Sequence, residues 1–308
     1  MKKTVLFLSL LGTILMVSAQ KPTDFPNTVL WEISGNGLKK SSYILGTHHA
    51  FMYDFIDSIP GLQNVIKKTK QVAGEIDMAD MQKLQFKMLQ HSFMPDSLSY
   101  DKMLSQSDYL KLDDALRTHL GEGLNLYGKF SPAMLSATIT QVIMMQIFPN
   151  LVESATKGID ITIQELARQK KKPVIGLETI DDQIYALFLV DPINKQLTDL
   201  ICSLDHFDEM LEKSVELANY YSRFDLNAIY SIFQNEEGPC QFSEESENAL
   251  IADRNNNWVI KLPDIMQSKP TLIVVGVAHL VGDDGLLYQL SQKGYSVKPI
   301  MAEHHLSK

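Results

Sequence analysis

The stretch from Thr271 to Gly285 constrains the fold most, because it has the pattern of a buried strand that ends near a histidine. Its apolar run, LIVVGV, is rich in β-branched residues, and a continuous run of this kind predicts a strand covered on both faces. Gly276 allows close approach of the backbone to a neighbour, and His279 follows three residues later. Polar groups at the carboxyl end of such a strand face the crevice in which open α/β sheets hold ligands.

The same unit occurs once more, in SSYILGTHHA, where His49 follows Gly46 by three residues. Two such units far apart in the chain suggest that its two halves bring imidazoles to one place. His48 is an alternative to His49, but the three-residue offset that matches Gly276 and His279 favours His49.

The amino-terminal segment predicts export. Lys2 and Lys3 precede a largely apolar run that is too short to span a bilayer comfortably, and Val17-Ser18-Ala19 fits a cleavage site. We therefore expect residues 1–19 to be a signal peptide, with an uncleaved anchor as the alternative. After cleavage no stable transmembrane segment is expected, and the protein should be periplasmic or secreted.

The net charge argues against one class of partner, and the two cysteines predict a disulfide. The formal net charge is −9, and it becomes −11 when residues 1–19, with two lysines and no acid, are removed. This balance argues against a nucleic-acid partner, which needs a basic surface. Cys202 and Cys240 both lie in the exported part, so a disulfide is expected, with two buried thiols as the alternative.

The pattern of elements predicts an α/β fold with a mixed central β-sheet and many flanking helices. A hairpin is predicted over residues 20–50, and short strands near 71–77, 173–178, 271–277 and 295–300 alternate with helical sequence. Residues 79–156 are helical in character and rich in methionine, which predicts a helical insertion covering the site. We expect one domain over residues 20–308.

Four side chains share one sequence context, since each ends a short β-like run: His49, Glu75, Glu178 and His279. If these strands are parallel neighbours, their carboxyl ends lie along one edge of the sheet. Two imidazoles and a carboxylate suit a divalent metal such as Mn, Co, Fe or Zn, although each residue alone is more often structural. Asp77, Asp160 and Arg254 are candidates to orient ligands or to hold a substrate carbonyl or carboxylate.

Other catalytic schemes lack support in the sequence. It contains no HExxH, no GxSxG, no phosphate-binding loop of the Walker type and no GxGxxG. Neither cysteine has a local signal for a nucleophile.

The chain resembles the TraB/GumN family, which includes the Tiki metalloproteases. The resemblance is carried by LWEI and YILGTHHA, GID at 158–160, KPVIGLET at 172–179, ADRNNNWV at 252–259, and VGVAHLVGDDGLLYQLSQKGYSVKPI at 275–300. The family's two GxxH motifs fall on Gly46–His49 and Gly276–His279, and its glutamate falls on Glu75. The resemblance implies a fold like that of erythromycin esterase and ChaN, and a metal-dependent hydrolase for the Tiki branch. His48 departs from the usual motif, and the carboxyl-terminal Tiki anchor is absent.

The sequence and the resemblance together predict an exported metal-dependent hydrolase that cleaves a peptide bond. His49, His279 and Glu75 are the expected ligands of Mn, Co or Zn, with Glu75 as ligand or base, and Glu178, Asp160 and Arg254 support the reaction. The main alternative is a non-catalytic protein that captures a peptide or signal in the same crevice. A hydrolase of another ester or amide, acting on a small molecule, is a third possibility.

Overall fold

The computed structural model describes residues 25–149, 157–234, 239–240 and 243–301. The predicted signal peptide, residues 1–19, lies outside the described residues. Within the described ranges, no helix is long and apolar enough to cross a bilayer.

Six strands form one mixed sheet, as the alternation of elements predicts. The strands, in chain order, are β1 (Leu30–Gly35), β2 (Ser42–Thr47), β3 (Gln71–Gly74), β4 (Val174–Gly176), β5 (Thr271–Gly276) and β6 (Tyr295–Pro299). Their order across the sheet is β4-β3-β5-β2-β1-β6. The strands β4, β3, β5 and β2 are parallel neighbours, whereas β1 is antiparallel to both β2 and β6. The α/β prediction with a mixed central sheet is confirmed.

Helices occupy most of the connections. They are α1 (Leu62–Lys68), α2 (Met81–His91), α3 (Tyr100–Met103), α4 (Gln106–Leu120), α5 (Leu124–Tyr127), α6 (Pro132–Ile147), α7 (Ile159–Gln169), α8 (Ile180–Ile184), α9 (Ile193–Asp205), α10 (Phe207–Ser222), α11 (Leu226–Gln234), α12 (Glu244–Leu250), α13 (Ala252–Ser268) and α14 (Leu286–Gln292). A π-helical turn, Tyr185–Leu189, follows α8. Ser131 caps the start of α6, because its hydroxyl accepts from the Met134 amide at 3.3 Å.

Two hydrophobic cores hold these elements together. The first lies around the sheet and includes the buried runs of β2 and β5, together with Trp258. The second is built mostly from helices, contains no residue of the sheet, and joins residues 94–147 to residues 193–211. The helical part of the molecule therefore draws on α9 and α10 as well as on the segment 79–156 where the sequence predicts an insertion.

Residues 244–268 form two helices rather than one continuous helix. The backbone leaves helical geometry at Ile251, between α12 and α13. The predicted disulfide is present and joins Cys202 of α9 to Cys240, which precedes α12, with their Cα atoms 5.7 Å apart. The break and the bridge together fix the direction in which α13 runs toward the sheet.

Gly46 shows why a glycine precedes the first histidine motif. A Cβ atom at this position would lie 3.1 Å from the backbone of Val277 and 2.7 Å from the side chain of Leu280. The missing side chain therefore lets the end of β2 pack directly against the segment that follows β5. The two histidine motifs are neighbours in space for this reason.

Candidate active site

The carboxyl ends of four adjacent parallel strands lie along one edge of the sheet. The side chains predicted from the sequence follow those ends: Glu178 after β4, Glu75 after β3, His279 after β5 and His49 after β2. Thr47, at the end of β2, pairs with Gly276, at the end of β5. The prediction that these strands are parallel neighbours is confirmed.

Arg254 of α13 lies at the centre of this edge. Its Nη2 donates to Glu75 at 2.6 Å and to Glu178 at 2.7 Å, and its Nε donates to the second oxygen of Glu178 at 3.0 Å. Its Nη1 donates to the Leu250 carbonyl at 3.2 Å and to Nε2 of His279 at 3.1 Å. A guanidinium has five N–H groups, so each of them has an acceptor here. The arrangement suits a residue that positions its neighbours rather than one that donates to a substrate.

His279 is buried, and its neighbours fix its tautomer. Because arginine has only donors, Nε2 of His279 must present its lone pair to Arg254. The ring proton therefore sits on Nδ1, which donates to Oδ1 of Asn255 at 2.9 Å. The pKa of His279 is lowered to about 4, mainly by burial and also by the charge of Arg254, against the opposing effect of Glu75. His279 is accordingly a neutral imidazole at pH 7.

Glu75 is the most exposed side chain in the cluster of Glu75, Glu178, Arg254 and His279, with 19% accessible against 11% for Arg254 and 4% for both Glu178 and His279. Its Oε1 accepts from the Gly276 amide at 2.8 Å. Burial works to raise the pKa of Glu75, but His279, Arg254 and the Gly276 amide outweigh it and hold the pKa below its ordinary value. An ionised carboxylate is thus fixed at the open side of the cluster.

Glu178 lies deeper and is held by Arg254 and by the indole of Trp258. Trp258 Nε1 donates to Glu178 at 3.1 Å, and the guanidinium of Arg254 lies 4.8 Å above the indole ring. Burial raises the pKa of Glu178, and the charge of Glu75 adds to that effect, while Arg254 and Trp258 oppose it. The two carboxylates therefore share one guanidinium but differ in environment.

Asp160, at the start of α7, lies beside the cluster. Its carboxylate accepts from the hydroxyl of Thr47 at 2.8 Å. Burial raises its pKa, Glu75 raises it further, and His49 acts in the opposite direction, so both groups lie within electrostatic range. Asp77, also a candidate from the sequence, forms an ion pair with Arg168 of α7 instead.

The two histidines that follow β2 have different surroundings. The ring of His48 packs against Phe51 and Tyr221, and its Nδ1 accepts from the Ala50 amide at 3.1 Å. The pKa of His48 is lowered to about 4, mainly by burial and also by the neighbouring His49. His49 is exposed at the edge. Of the two, His49 is the imidazole that faces solvent.

Comparison with known proteins assigns the chain to a family. A model of the TraB/PrgY/gumN family matches residues 29–299, which span all six strands and every residue of the cluster. The chain belongs to the TraB/PrgY/gumN family. No curated protein and no solved structure matches it.

In this TraB/PrgY/gumN member, the residues as arranged do not fit the predicted metal ion. Nε2 of His279 and Oε1 of Glu75 are 3.9 Å apart, and the guanidinium of Arg254 forms hydrogen bonds with both side chains. The guanidinium therefore takes the place of a cation that the two side chains could share. In the described parts of the chain, no group of three or more His, Cys, Asp and Glu side chains is arranged to hold a metal. A metal bound by His49, His279 and Glu75 would require Arg254 to move.

Three residues of the TraB/PrgY/gumN site were not predicted individually: Asn255, Trp258 and Gln183. Asn255 is fully buried, and its amide donates to the carbonyls of His279 at 3.2 Å and of Asp284 at 2.8 Å. Gln183 donates to Glu75 at 3.4 Å. A signal for two of them was present in ADRNNNWV, because positions 254, 255 and 258 fall on one face of a helix.

Replacing Asn255 by aspartate should raise the pKa of His279 from about 4 by at least about one pH unit, because a carboxylate beside Nδ1 favours the imidazolium. The change should also cost about 1–3 kcal/mol of stability, since two carbonyls lose their donor. Histidine ¹⁵N shifts, followed through a pH titration, report both the pKa and the tautomer. Asn257→Asp, which adds the same charge at an exposed position two residues away, should leave His279 unchanged. An unaltered titration of His279 in Asn255→Asp would rule out this role.

Proposed function

We propose that this chain is an exported hydrolase that cleaves a peptide bond at the edge formed by Glu75, Glu178, Arg254 and His279. The observation that carries the proposal is the state of Glu75. It is the most exposed of the four, its pKa is held low, and its orientation is fixed by Arg254 and by the Gly276 amide. An ionised carboxylate that is held in a fixed orientation and remains partly accessible can accept a proton from water.

The chemistry can be assigned to groups of this chain. Glu75 takes a proton from water, and the hydroxide adds to the carbonyl carbon of the substrate. The C–N bond then breaks as the leaving amine takes from Glu75 the proton that Glu75 removed from water, which returns Glu75 to its carboxylate form. Arg254 keeps Glu75 in place through its hydrogen bonds to both carboxylates. Asp160 supports this edge through its hydrogen bond with Thr47.

Metal dependence, predicted from the sequence with Mn, Co or Zn as the ion, stays a prediction for this chain. It would need His49, His279 and Glu75 as ligands, and Arg254 would have to give up its bonds to two of them. None of the steps above depends on the ion.

The test is turnover by the purified chain on a panel of peptides, esters and amides, with chelator and with added Mn or Co. We expect peptide turnover that Glu75→Gln abolishes. Glu165→Gln, the same change on the exposed face of α7, should leave turnover intact. Turnover in the presence of chelator would show that the ion is dispensable, and turnover restored only by Mn or Co would show that it is required.

Two outcomes would favour the alternatives. Saturable peptide binding without turnover under any metal condition would mean that the chain is a non-catalytic binding protein. Turnover of esters or small amides alone would mean that the bond cleaved is not a peptide bond.

A further inference from the structure

The edge of the sheet opposite the candidate active site is lined with lysines. The strands β2 to β6 all run in the same direction and begin at this edge. Each of the five is preceded, within four residues, by at least one lysine. We call the following ten residues the lysine edge: Lys39, Lys40, Lys67, Lys68, Lys70, Lys170, Lys171, Lys172, Lys269 and Lys293.

The lysine edge is exposed and carries no acid of its own. Nine of its side chains are exposed, and Lys172 is half-buried. Burial lowers the pKa of Lys172, and the charges of Lys170 and Lys70 lower it further, so lysines that precede different strands lie close together. The connecting segments that hold the ten lysines contain no Asp or Glu. This concentration of positive charge stands out in a chain whose formal net charge is −9.

Helix dipoles account for only part of this charge. Four helices, α1, α7, α13 and α14, end at this edge, and each carboxyl end carries about half a negative charge, or about two charges together. The ten positive charges of the lysines greatly exceed the roughly two negative charges at these helix ends. Lys39 and Lys40, moreover, follow a hairpin turn rather than a helix. Among the described residues, most of the positive charge at this edge therefore has no partner that explains it.

We propose that the lysine edge binds an anionic lipid surface through its phosphate headgroups. Neighbouring strands are about 4.8 Å apart, so a row of lysines that extends from β4 to β6 is roughly 24 Å long. An extended, open row of flexible ammonium groups suits a flat surface of many headgroups. This interaction is separate from the proposed hydrolysis, and it leaves the opposite edge facing solution.

A lipid surface fits these segments better than a nucleic acid does. The segments hold no Phe, Tyr or Trp on which bases could stack. They hold no arginine either, and Arg168, the arginine nearest to them in sequence, is paired with Asp77. Bidentate recognition of a single phosphate is therefore not available at this edge.

The test compares binding of the full chain to vesicles of phosphatidylcholine with and without 30% phosphatidylglycerol, a composition of about one anionic lipid in three. We expect binding that depends on the anionic lipid and weakens with salt. The variant Lys40→Gln, Lys70→Gln, Lys170→Gln, which removes one lysine before each of three strands, should weaken it roughly 100-fold. The matched variant Lys83→Gln, Lys102→Gln, Lys213→Gln removes three exposed lysines elsewhere and should change it less than about twofold.

The proposal is overturned if wild type binds both vesicle types equally, or if the two triple variants lose binding to the same extent. It is also overturned if duplex DNA at the same phosphate concentration binds more tightly than the anionic vesicles. Glycerol phosphate in the same assay distinguishes a lipid surface from a free phosphate, and we expect it not to compete. Peptide turnover should be the same in both triple variants, so failure of this inference is distinguishable from failure of the proposed function.

Discussion

Replacing Arg254 by methionine is expected to lower the free energy of unfolding by about 3–5 kcal/mol, because it leaves two enclosed carboxylates without their cation. Glu178 is 4% exposed and Glu75 is 19% exposed, so water can replace the guanidinium only poorly. Methionine keeps much of the aliphatic stem and loses only the guanidinium, which lies over the Trp258 ring and between the carboxylates, so most of the cost should be electrostatic. Urea unfolding at pH 7 measures the difference.

The matched control is Arg223→Met. Arg223 is exposed and lies over the ring of Tyr220 at 5.3 Å, so its loss should cost less than about 1 kcal/mol. Adding Glu178→Gln to Arg254→Met should recover about half of the lost stability, since it removes one of the two unpaired charges. An Arg254→Met variant as stable as Arg223→Met would show that the carboxylates do not depend on the guanidinium.

The dependence of this cost on pH has a definite sign. Burial already raises the pKa of Glu178 in the wild type, and loss of Arg254 removes an interaction that opposes that rise. A carboxyl whose pKa is raised on folding stabilises the protein below its unfolded pKa and loses that contribution as pH increases. The deficit of Arg254→Met should therefore be largest near pH 8 and should shrink toward about pH 5.

The placement of the four strand ends could be predicted because the signal is local. A β-branched run followed by a glycine and a polar residue marks the end of a buried strand, as at Val275, Gly276 and His279. Helices between such runs favour parallel strands, and parallel strands end at a common edge. The hairpin of β1 and β2, with Leu30 opposite Leu45, follows from equally local turn chemistry at Gly35-Asn36-Gly37.

The central position of Arg254 could not be predicted in the same way. Its hydrogen bond to Glu75 joins residues 179 positions apart, and a single arginine on a helix usually lies on a solvated face. The sequence identified Arg254 as a supporting residue and predicted a metal held by His49, His279 and Glu75. The structure places the guanidinium beside Glu75 and His279, which follows from the direction of α13 after the break at Ile251.

The packing partners of the helical segments could not be predicted from the sequence either. Apolar residues at helical spacing show that a helix has a buried face, but they do not show which face it meets. Residues 94–147 pack against α9, where Leu197 and Leu200 are buried, so the helical core joins two stretches that β4 separates along the chain. Helix periodicity alone could not supply that long-range pairing.

Replacing Trp258 by alanine should cost about 3–5 kcal/mol, because the indole is fully buried and its removal leaves a cavity beneath the site. The ring centroid lies 4.5 Å from that of His279, and the guanidinium of Arg254 lies over the same ring. The loss should therefore also disturb the imidazole and the arginine that hold the carboxylates. Thermal or urea unfolding gives the cost, and histidine ¹⁵N shifts show whether His279 keeps its tautomer.

Trp258→Phe separates packing from hydrogen bonding, and the chain offers a matched control. The only other tryptophan, Trp31, is also buried, but its indole N–H has no hydrogen-bond partner among the described residues, whereas that of Trp258 donates to Glu178 at 3.1 Å. Both substitutions remove the same atoms, so Trp258→Phe should cost about 1.5–3 kcal/mol more than Trp31→Phe, which is the value of a hydrogen bond to a charged acceptor. The pKa of Glu178 should rise in the first variant and stay unchanged in the second, because only the first loses a group that lowers it. Equal costs for the two variants would mean that Trp258 acts at this site through packing alone.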